Sequence, residues 1–143
     1  MKKFIIVTTA TIIAVVALIN FRHWINRSEA FRAMEHLGKV VQNYRDKTGS
    51  LPPQEYVDNI KENLQGQARL GKLYYRAQWI NYDDPPETII AYTQKKFHSI
   101  FLDDGFIVLR LNGNVQWLKE KICKKILEKQ QTPEEIQFLK TIP

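Results

Sequence analysis

Two pairs of neighbouring aspartates, Asp83-Asp84 and Asp103-Asp104, are the residues whose spacing most suggests chemistry. Paired carboxylates in loops supply the oxygen ligands that Ca²⁺ prefers. Pro85-Pro86 follows the first pair and Gly105 follows the second, and these are ordinary turn residues. Because neither pair has the alternating acidic spacing of a calcium-binding loop, we expect turns and no metal site.

One cysteine and three histidines do not form a recognisable catalytic or metal-binding set. Cys123 falls on the apolar stripe of an expected helix, so we expect a buried thiol that is not a nucleophile. His36 is expected in solvent and His23 at a membrane edge. The chain has no phosphate-binding loop and no hydrolase or zinc-protease motif, so we expect no enzyme and no cofactor. A cleft that joins His98 to Asp103 or Asp104 would change that expectation.

Five lysines cluster near the C-terminus: Lys119, Lys121, Lys124, Lys125 and Lys129. Such a cluster could bind nucleic acid or an anionic membrane surface. It is also the pattern of a solvated helix face, which we favour. The net charge is +6, and beyond Trp24 there are 18 basic against 15 acidic residues. That balance is too mild to require a polyanion, so no nucleic-acid partner is expected.

The N-terminal region is uncharged from Phe4 to Phe21. These 18 residues in a helix span roughly 27 Å, close to the thickness of the hydrocarbon core of a bilayer. Trp24 follows, where an interfacial aromatic residue is common. We therefore predict a transmembrane anchor at residues 1–24 and a separate domain at residues 25–143. A cleaved signal peptide ending near Val15-Val16-Ala17 is the alternative.

The charges that flank the anchor do not decide its orientation. Lys2 and Lys3 lie at one end, and Arg22, Arg27 and Arg32 lie at the other, so the positive-inside count is nearly tied. A short basic tail before an apolar run is how export signals begin. We therefore expect residues 25–143 outside the cytoplasm.

Helical spacing continues beyond the anchor. Apolar residues recur at three- and four-residue steps through 28–47, and no proline or glycine interrupts 3–37, so one long helix is expected. Gly49 is a common helix stop, and Pro52-Pro53 forbid continuation. A short helix is expected at 53–64, with Pro53 in its first turn. Its apolar face carries Tyr56, Ile60 and Leu64.

From Leu73 onward the sequence has the aromatic and β-branched residues of strands. The expected strands are 73–80, 88–92, 99–102, 106–111 and 114–118. Asn112-Gly113 predicts a two-residue hairpin turn, which would pair Val108 with Trp117 and Arg110 with Val115. One face would then carry Phe106, Val108, Val115 and Trp117, and the other Ile107, Leu109, Leu111 and Leu118. Both faces are apolar, so both should be covered.

Two helices are expected after the hairpin. The first has an apolar stripe of Leu118, Ile122 and Ile126, with Cys123 and Leu127 beside it. The second begins at Thr132-Pro133-Glu134-Glu135, which combines a threonine cap, a proline and a glutamate at helix-start spacing. The predicted fold class is α+β, in which a long N-terminal helix packs on a small antiparallel sheet with C-terminal helices on its other face.

This order of elements resembles type IV pilin-like and type II secretion pseudopilin-like proteins. The segment from Tyr44 to Pro52 resembles the point where pseudopilins leave the helix, and Asn112-Gly113-Asn114-Val115 resembles the turn of their closing hairpin. Lys3 precedes Phe4 where the family has glycine, and Glu29 is the first acidic residue, so the early glutamate is missing. The resemblance therefore implies a pilin-like domain on an anchor that prepilin peptidase does not cut.

The resemblance implies a structural or interaction protein of the bacterial cell envelope, held in the inner membrane by one span and associated with secretion. Its expected partners are the membrane and other envelope or secretion proteins, and self-association through the N-terminal helix is left open. The alternative is an exported or anchored domain that binds a ligand or peptide on a sheet edge, without catalysis.

Overall fold

The computed structural model describes residues 1–97 and 102–141, with the side chain of Lys2 outside the description. Its helices and strands are α1 (Lys2–Thr48), α2 (Gln54–Lys61), β1 (Leu73–Tyr75), β2 (Ile89–Lys95), β3 (Gly105–Arg110), β4 (Val115–Lys119), α3 (Glu120–Gln130) and α4 (Pro133–Thr141). The strands form an antiparallel sheet in the order β1-β2-β3-β4. The predicted α+β fold, with a long N-terminal helix against this sheet, is confirmed.

The long helix α1 runs without a break for 47 residues and ends at Gly49. Gly49 has φ 69°, a left-handed conformation that glycine adopts readily, and its N–H donates to the Arg45 carbonyl at 2.8 Å. The buried stripe of the second half of α1 is Ala30, Ala33, Met34, Leu37 and Val41. Gly38 lets the helix lie close to the sheet, since a Cβ there would stand 2.9 Å from the Leu109 side chain.

The hairpin between β3 and β4 differs from the predicted register by one residue. Leu109 pairs with Val115, which leaves a three-residue loop where two residues were predicted. The Arg110 N–H donates to the Asn114 carbonyl, the Gly113 N–H donates to the Arg110 carbonyl, and both distances are 2.9 Å. Gly113 has φ 84°, as the left-handed position of a three-residue hairpin loop requires.

This shift exchanges the two faces of β4, because successive side chains point to opposite sides of a strand. Val115 and Trp117 pack with Ile107 on the α1 side of the sheet, whereas they were predicted to share a face with Val108. Leu118 packs with Val108 on the α3 side. Each face remains apolar and covered, as predicted.

The C-terminal helices cover the second face of the sheet. Cys123 and Leu127 of α3 are buried against Tyr92 and Val108. Ile122, predicted at the centre of the buried stripe, is 51% exposed, so the contact face of α3 is centred one residue later than predicted. The helix α4 begins as predicted, with the Glu135 N–H donating to the Thr132 hydroxyl at 3.2 Å.

Two elements before β2 are shorter than the sequence predicted. β1 ends at Tyr75, and Ala77–Trp79 forms a 3₁₀ turn where a continuous strand to Ile80 was expected. α2 ends at Lys61, and Pro53 lies at its N-cap instead of in its first turn. Its buried residue is Val57, not Tyr56.

One predicted strand falls largely outside the described residues. Residues 99–101 of the expected strand at 99–102 are not described, and Leu102 lies in a bend. His98 also lies outside the described residues.

Candidate membrane anchor and its junction with the sheet

The first half of α1 has an apolar surface that the rest of the protein does not cover. Its most apolar 18-residue window has a mean hydropathy of 2.5, and none of that window is buried. A soluble core helix would bury such a surface, because exposed apolar area is unfavourable in water. This helix is long and apolar enough to span a membrane, a property that a signal sequence shares.

Three polar side chains within this segment donate hydrogen bonds to the backbone of the helix itself. The hydroxyls of Thr8 and Thr11 donate to carbonyls four residues earlier, each at 2.9 Å. The Asn20 amide likewise donates to the Val16 carbonyl at 2.8 Å. Since a bilayer core offers no water to a polar group, these internal bonds make the three side chains compatible with lipid.

An aromatic cluster joins the end of the apolar segment to the sheet. The Arg27 guanidinium lies 4.2 Å from the centroid of the Trp117 ring in β4. Phe97, beyond the end of β2, packs between Trp117 and His23, with ring centroids 5.9 Å and 5.6 Å away. Burial lowers the pKa of Arg27 from its usual value. The predicted edge residue His23 is therefore part of a packed junction.

A second contact region lies about two turns further along α1. The Arg69 guanidinium pairs with Glu29 at 3.4 Å, and the Gln65 N–H donates to Nδ1 of His36 at 3.3 Å. His36 is partly buried, so its expected solvent exposure is wrong. Gly66 has φ 79° and approaches the Glu29 carbonyl so closely that a Cβ would overlap it. The loop after α2 is therefore fixed to the helix.

At the far end of the sheet, α1 holds the hairpin turn. The Gln42 amide and the Arg45 guanidinium both donate to the Leu111 carbonyl, at 2.9 Å and 2.6 Å. The Arg45 guanidinium also lies 4.7 Å from the centroid of the Tyr82 ring. The sheet is therefore attached to α1 at both of its ends.

Asp84, Asp103 and Asp104 are engaged in contacts within the protein. Asp84 accepts a hydrogen bond from the Asn81 N–H at 3.0 Å, as in an ordinary turn. Asp103 pairs with Lys119 at 2.7 Å, which lowers the pKa of that carboxyl, and Asp104 accepts from the Phe97 N–H at 2.7 Å. Among the residues that the structure describes, no three His, Cys, Asp or Glu side chains group as metal ligands.

The thiol of Cys123 is fully buried, as predicted, and burial raises its pKa to about 12. A thiol in that environment stays protonated near neutral pH and is a poor nucleophile.

The basic cluster lies on the solvated side of α3. Lys124 pairs with Glu120 at 2.5 Å, and Lys121, Lys125 and Lys129 are exposed on the side opposite the buried Cys123. This agrees with the interpretation as a solvated helix face.

A buried ion pair is the main feature that the sequence did not reveal. The guanidinium of Arg76 binds both carboxylate oxygens of Glu135, at 2.5 Å and 3.0 Å, and both side chains are 1% exposed. Arg76 also donates to the carbonyls of Ile89 and Gln130, at 2.5 Å and 3.0 Å. The sequence suggested Glu135 only as a helix-start residue. No local pattern in the sequence indicated that this carboxylate would be buried.

The surface beside the edge strand β1 forms a groove of about 360 Å³. Side chains from α2, β1 and α4 line it, among them Asp58, Lys72, Tyr74 and Phe138. The groove is mixed in polarity and open to solvent. It can accommodate a short segment of chain but is not the deep apolar pocket typical of small-molecule sites.

The chain was compared with protein-family models, with curated proteins and with solved structures, and none of the three comparisons returned a match.

Proposed function

We propose that this chain is a membrane-anchored, pilin-like structural or interaction protein of the bacterial cell envelope. It lies in the inner membrane by a single span at residues 1–24, with residues 25–143 outside the cytoplasm. The observation that carries the proposal is the uncovered apolar half of α1, which continues as the same helix into the core of an antiparallel sheet domain.

The properties of the candidate reactive groups support a role without catalysis. The Cys123 thiol is buried, and the carboxylates of Asp84, Asp103 and Asp104 hold turns and loops in place. A relationship to secretion pseudopilins is part of the proposal and rests on the sequence resemblance. The missing peptidase site and early glutamate favour a subunit that keeps its anchor and docks other envelope proteins.

Peptide binding at the sheet edge is the second candidate. Among the described strands, β2 is the one that pairs with the short strand β1, and the groove of about 360 Å³ lies beside β1. An extended segment could add to this edge and place side chains in the groove. A photo-crosslinker at Gln78, which lines the groove, should then capture a partner peptide that the same probe at Asn43 of α1 does not.

Membrane fractionation with protease protection tests the main proposal. We expect the full-length protein to resist carbonate extraction, and protease added to spheroplasts to digest the domain. A matched variant, Ile13→Arg, places a charge near the centre of the span, which costs about 3 kcal/mol of insertion free energy and should release protein from the membrane. A wild-type protein that is soluble and begins near Leu18 would show that the apolar segment is a cleaved signal. A carbonate-resistant protein whose domain is protected in spheroplasts would contradict the orientation.

A further inference from the structure

The helix α1 sets the height of the domain above the membrane. At about 1.5 Å per residue, His23 lies roughly 3 Å and Arg27 roughly 9 Å beyond Phe21, the last residue of the apolar run. The headgroup layer on each side of the hydrocarbon core is roughly 5–7 Å thick. Side chains on a helix tilt toward its N-terminus, which here is the membrane side. His23 and Arg27 therefore reach the headgroup layer.

Contacts from His23 bring one end of the sheet to the same level. The His23 ring packs edge-on against Phe97 at 5.6 Å, and the Phe97 N–H donates to the Asp104 carboxylate at 2.7 Å. The carbonyl of Asp104 in turn accepts from the Glu120 N–H, the first residue of α3, at 3.4 Å. The loop after β2 and the start of α3 therefore belong to the end of the domain that faces the membrane.

Three exposed cations lie next to these contacts in the chain: Arg22, Lys96 and Lys121. Within the described part of the chain, none of the three takes part in an ion pair. Lys119 lies at the same end, but Asp103 compensates its charge at 2.7 Å. We call Arg22, Lys96 and Lys121 the basic collar; its three charges are unpaired in the described structure and outnumber the single charge of the Asp104 carboxylate at the same end.

Arg27 adds a fourth cation with an environment suited to an anion. It is stacked on Trp117 and partly buried, and no acidic side chain in the described residues pairs with it. A cleft of about 470 Å³ beside it is lined by Trp24 and Arg32 and also by Glu35, so two cations face one carboxylate there. A cation that has lost part of its water and has no acidic partner gains from a nearby anion.

We infer that the membrane-facing end of the domain binds anionic phospholipid headgroups through the basic collar and Arg27, so that the sheet stands on the bilayer in a fixed orientation. This inference rests on the membrane span of the proposed function and adds to it a lipid class and a contact surface. Each lysine or arginine near an anionic surface gives about a fivefold preference, which salt screens. Phosphatidylglycerol should therefore gather around the protein more than phosphatidylcholine.

Energy transfer from tryptophan to dansyl-labelled lipid measures this preference in nanodiscs that contain the full-length protein. Trp24 and Trp117 lie at the membrane-facing end and serve as donors. At 50 mM NaCl, dansyl-phosphatidylglycerol should be enriched at least about fivefold over dansyl-phosphatidylcholine. At 1 M NaCl, where the Debye length is about 3 Å, the preference should disappear. The comparison of the two salt concentrations uses the wild-type protein alone.

A pair of charge-matched variants tests the location. Lys96→Gln with Lys121→Gln removes two charges of the collar and should lower the preference severalfold, with Arg22 and Arg27 retaining the rest. Lys47→Gln with Lys129→Gln removes two exposed charges toward the other end of the domain and should leave it unchanged. Equal lipid enrichment in the wild type at low salt, or an equal loss in both variants, would overturn the inference. A protein that carbonate extracts would overturn the span and this inference together, whereas an anchored protein without lipid preference would overturn this inference alone.

Discussion

Replacing Glu135 by glutamine should unfold the domain more readily than any surface change, because it leaves the Arg76 charge buried without a counter-charge. Both side chains are 1% exposed, and the carboxylate accepts two of the five hydrogen bonds of the guanidinium. The other three go to the Ile89 and Gln130 carbonyls and to the Gln130 side chain. Breaking a buried pair on one side costs about 3–5 kcal/mol. Glutamine keeps the shape and one acceptor oxygen, so we expect a loss of about 3 kcal/mol in the free energy of unfolding.

This loss is large against a typical domain stability of about 5–15 kcal/mol. For a domain of this size it corresponds to a fall in Tm of roughly 10–20 °C. The change can be measured by urea and thermal unfolding of the full-length protein in detergent. Tryptophan fluorescence reports the unfolding, because Trp79 packs against Phe138 of α4. The ring centroids of these two residues are 6.0 Å apart, so release of α4 alters the signal.

Two further variants make the argument refutable. Glu134→Gln changes the exposed neighbouring glutamate and should alter stability by less than about 0.5 kcal/mol. Arg76→Met combined with Glu135→Leu removes both charges and should be less destabilising than Glu135→Gln alone, because no buried charge then lacks a partner. If Glu135→Gln costs no more than Glu134→Gln, the buried pair does not hold α4 and the reasoning fails.

Three other perturbations follow from single contacts. Cys123 should resist labelling by iodoacetamide at pH 8 until the domain unfolds, and mass spectrometry would detect the label; labelling of the folded protein at the rate of a free thiol would contradict its burial. Because burial raises the pKa of the folded thiol to about 12, the free energy of unfolding should fall as the pH rises above about 8.5, the pKa of a free thiol. A side chain at positive φ costs about 1–3 kcal/mol of stability. Gly66→Ala should cost more than this in urea unfolding, because its Cβ also overlaps the Glu29 carbonyl. Gly49→Ala should cost less than Gly66→Ala, because Gly49 is also at positive φ but has nothing within 4 Å of its Cβ position. Thr132→Ala removes the cap of α4 and should cost about 1 kcal/mol by the same measurement; no change would mean that the cap bond is not made in solution.

Local sequence patterns were sufficient to predict the elements that depend on a single residue type or on one regular spacing of apolar residues. The long helix follows from uninterrupted helical spacing that ends at Gly49, and the start of α4 follows from Thr132 before Pro133. The covering of both faces followed from apolar residues on both sides of β3. Each of these depends on residues within a few positions of one another.

The wrong predictions concern features that depend on contacts between residues far apart in the sequence. The turn at Gly113 allows two loop lengths, and because both faces of β4 are apolar, the alternation of side chains could not choose between them. The strand β1 ends at Tyr75, and the next residue, Arg76, binds Glu135, which lies 59 residues away. The aromatic junction of His23, Phe97 and Trp117 likewise joins three separate elements, so only the folded chain shows it.

The unbroken helix α1 acts as a rigid lever between the lipid and the far hairpin. From Phe21 to Gln42, which holds the Leu111 carbonyl, the rod is about 32 Å long. Membrane spans tilt by about 20° on average, and a thicker or thinner bilayer changes that angle. A 20° tilt swings the hairpin sideways by about 11 Å. A protein bound to the hairpin would therefore be displaced when the thickness of the bilayer changes.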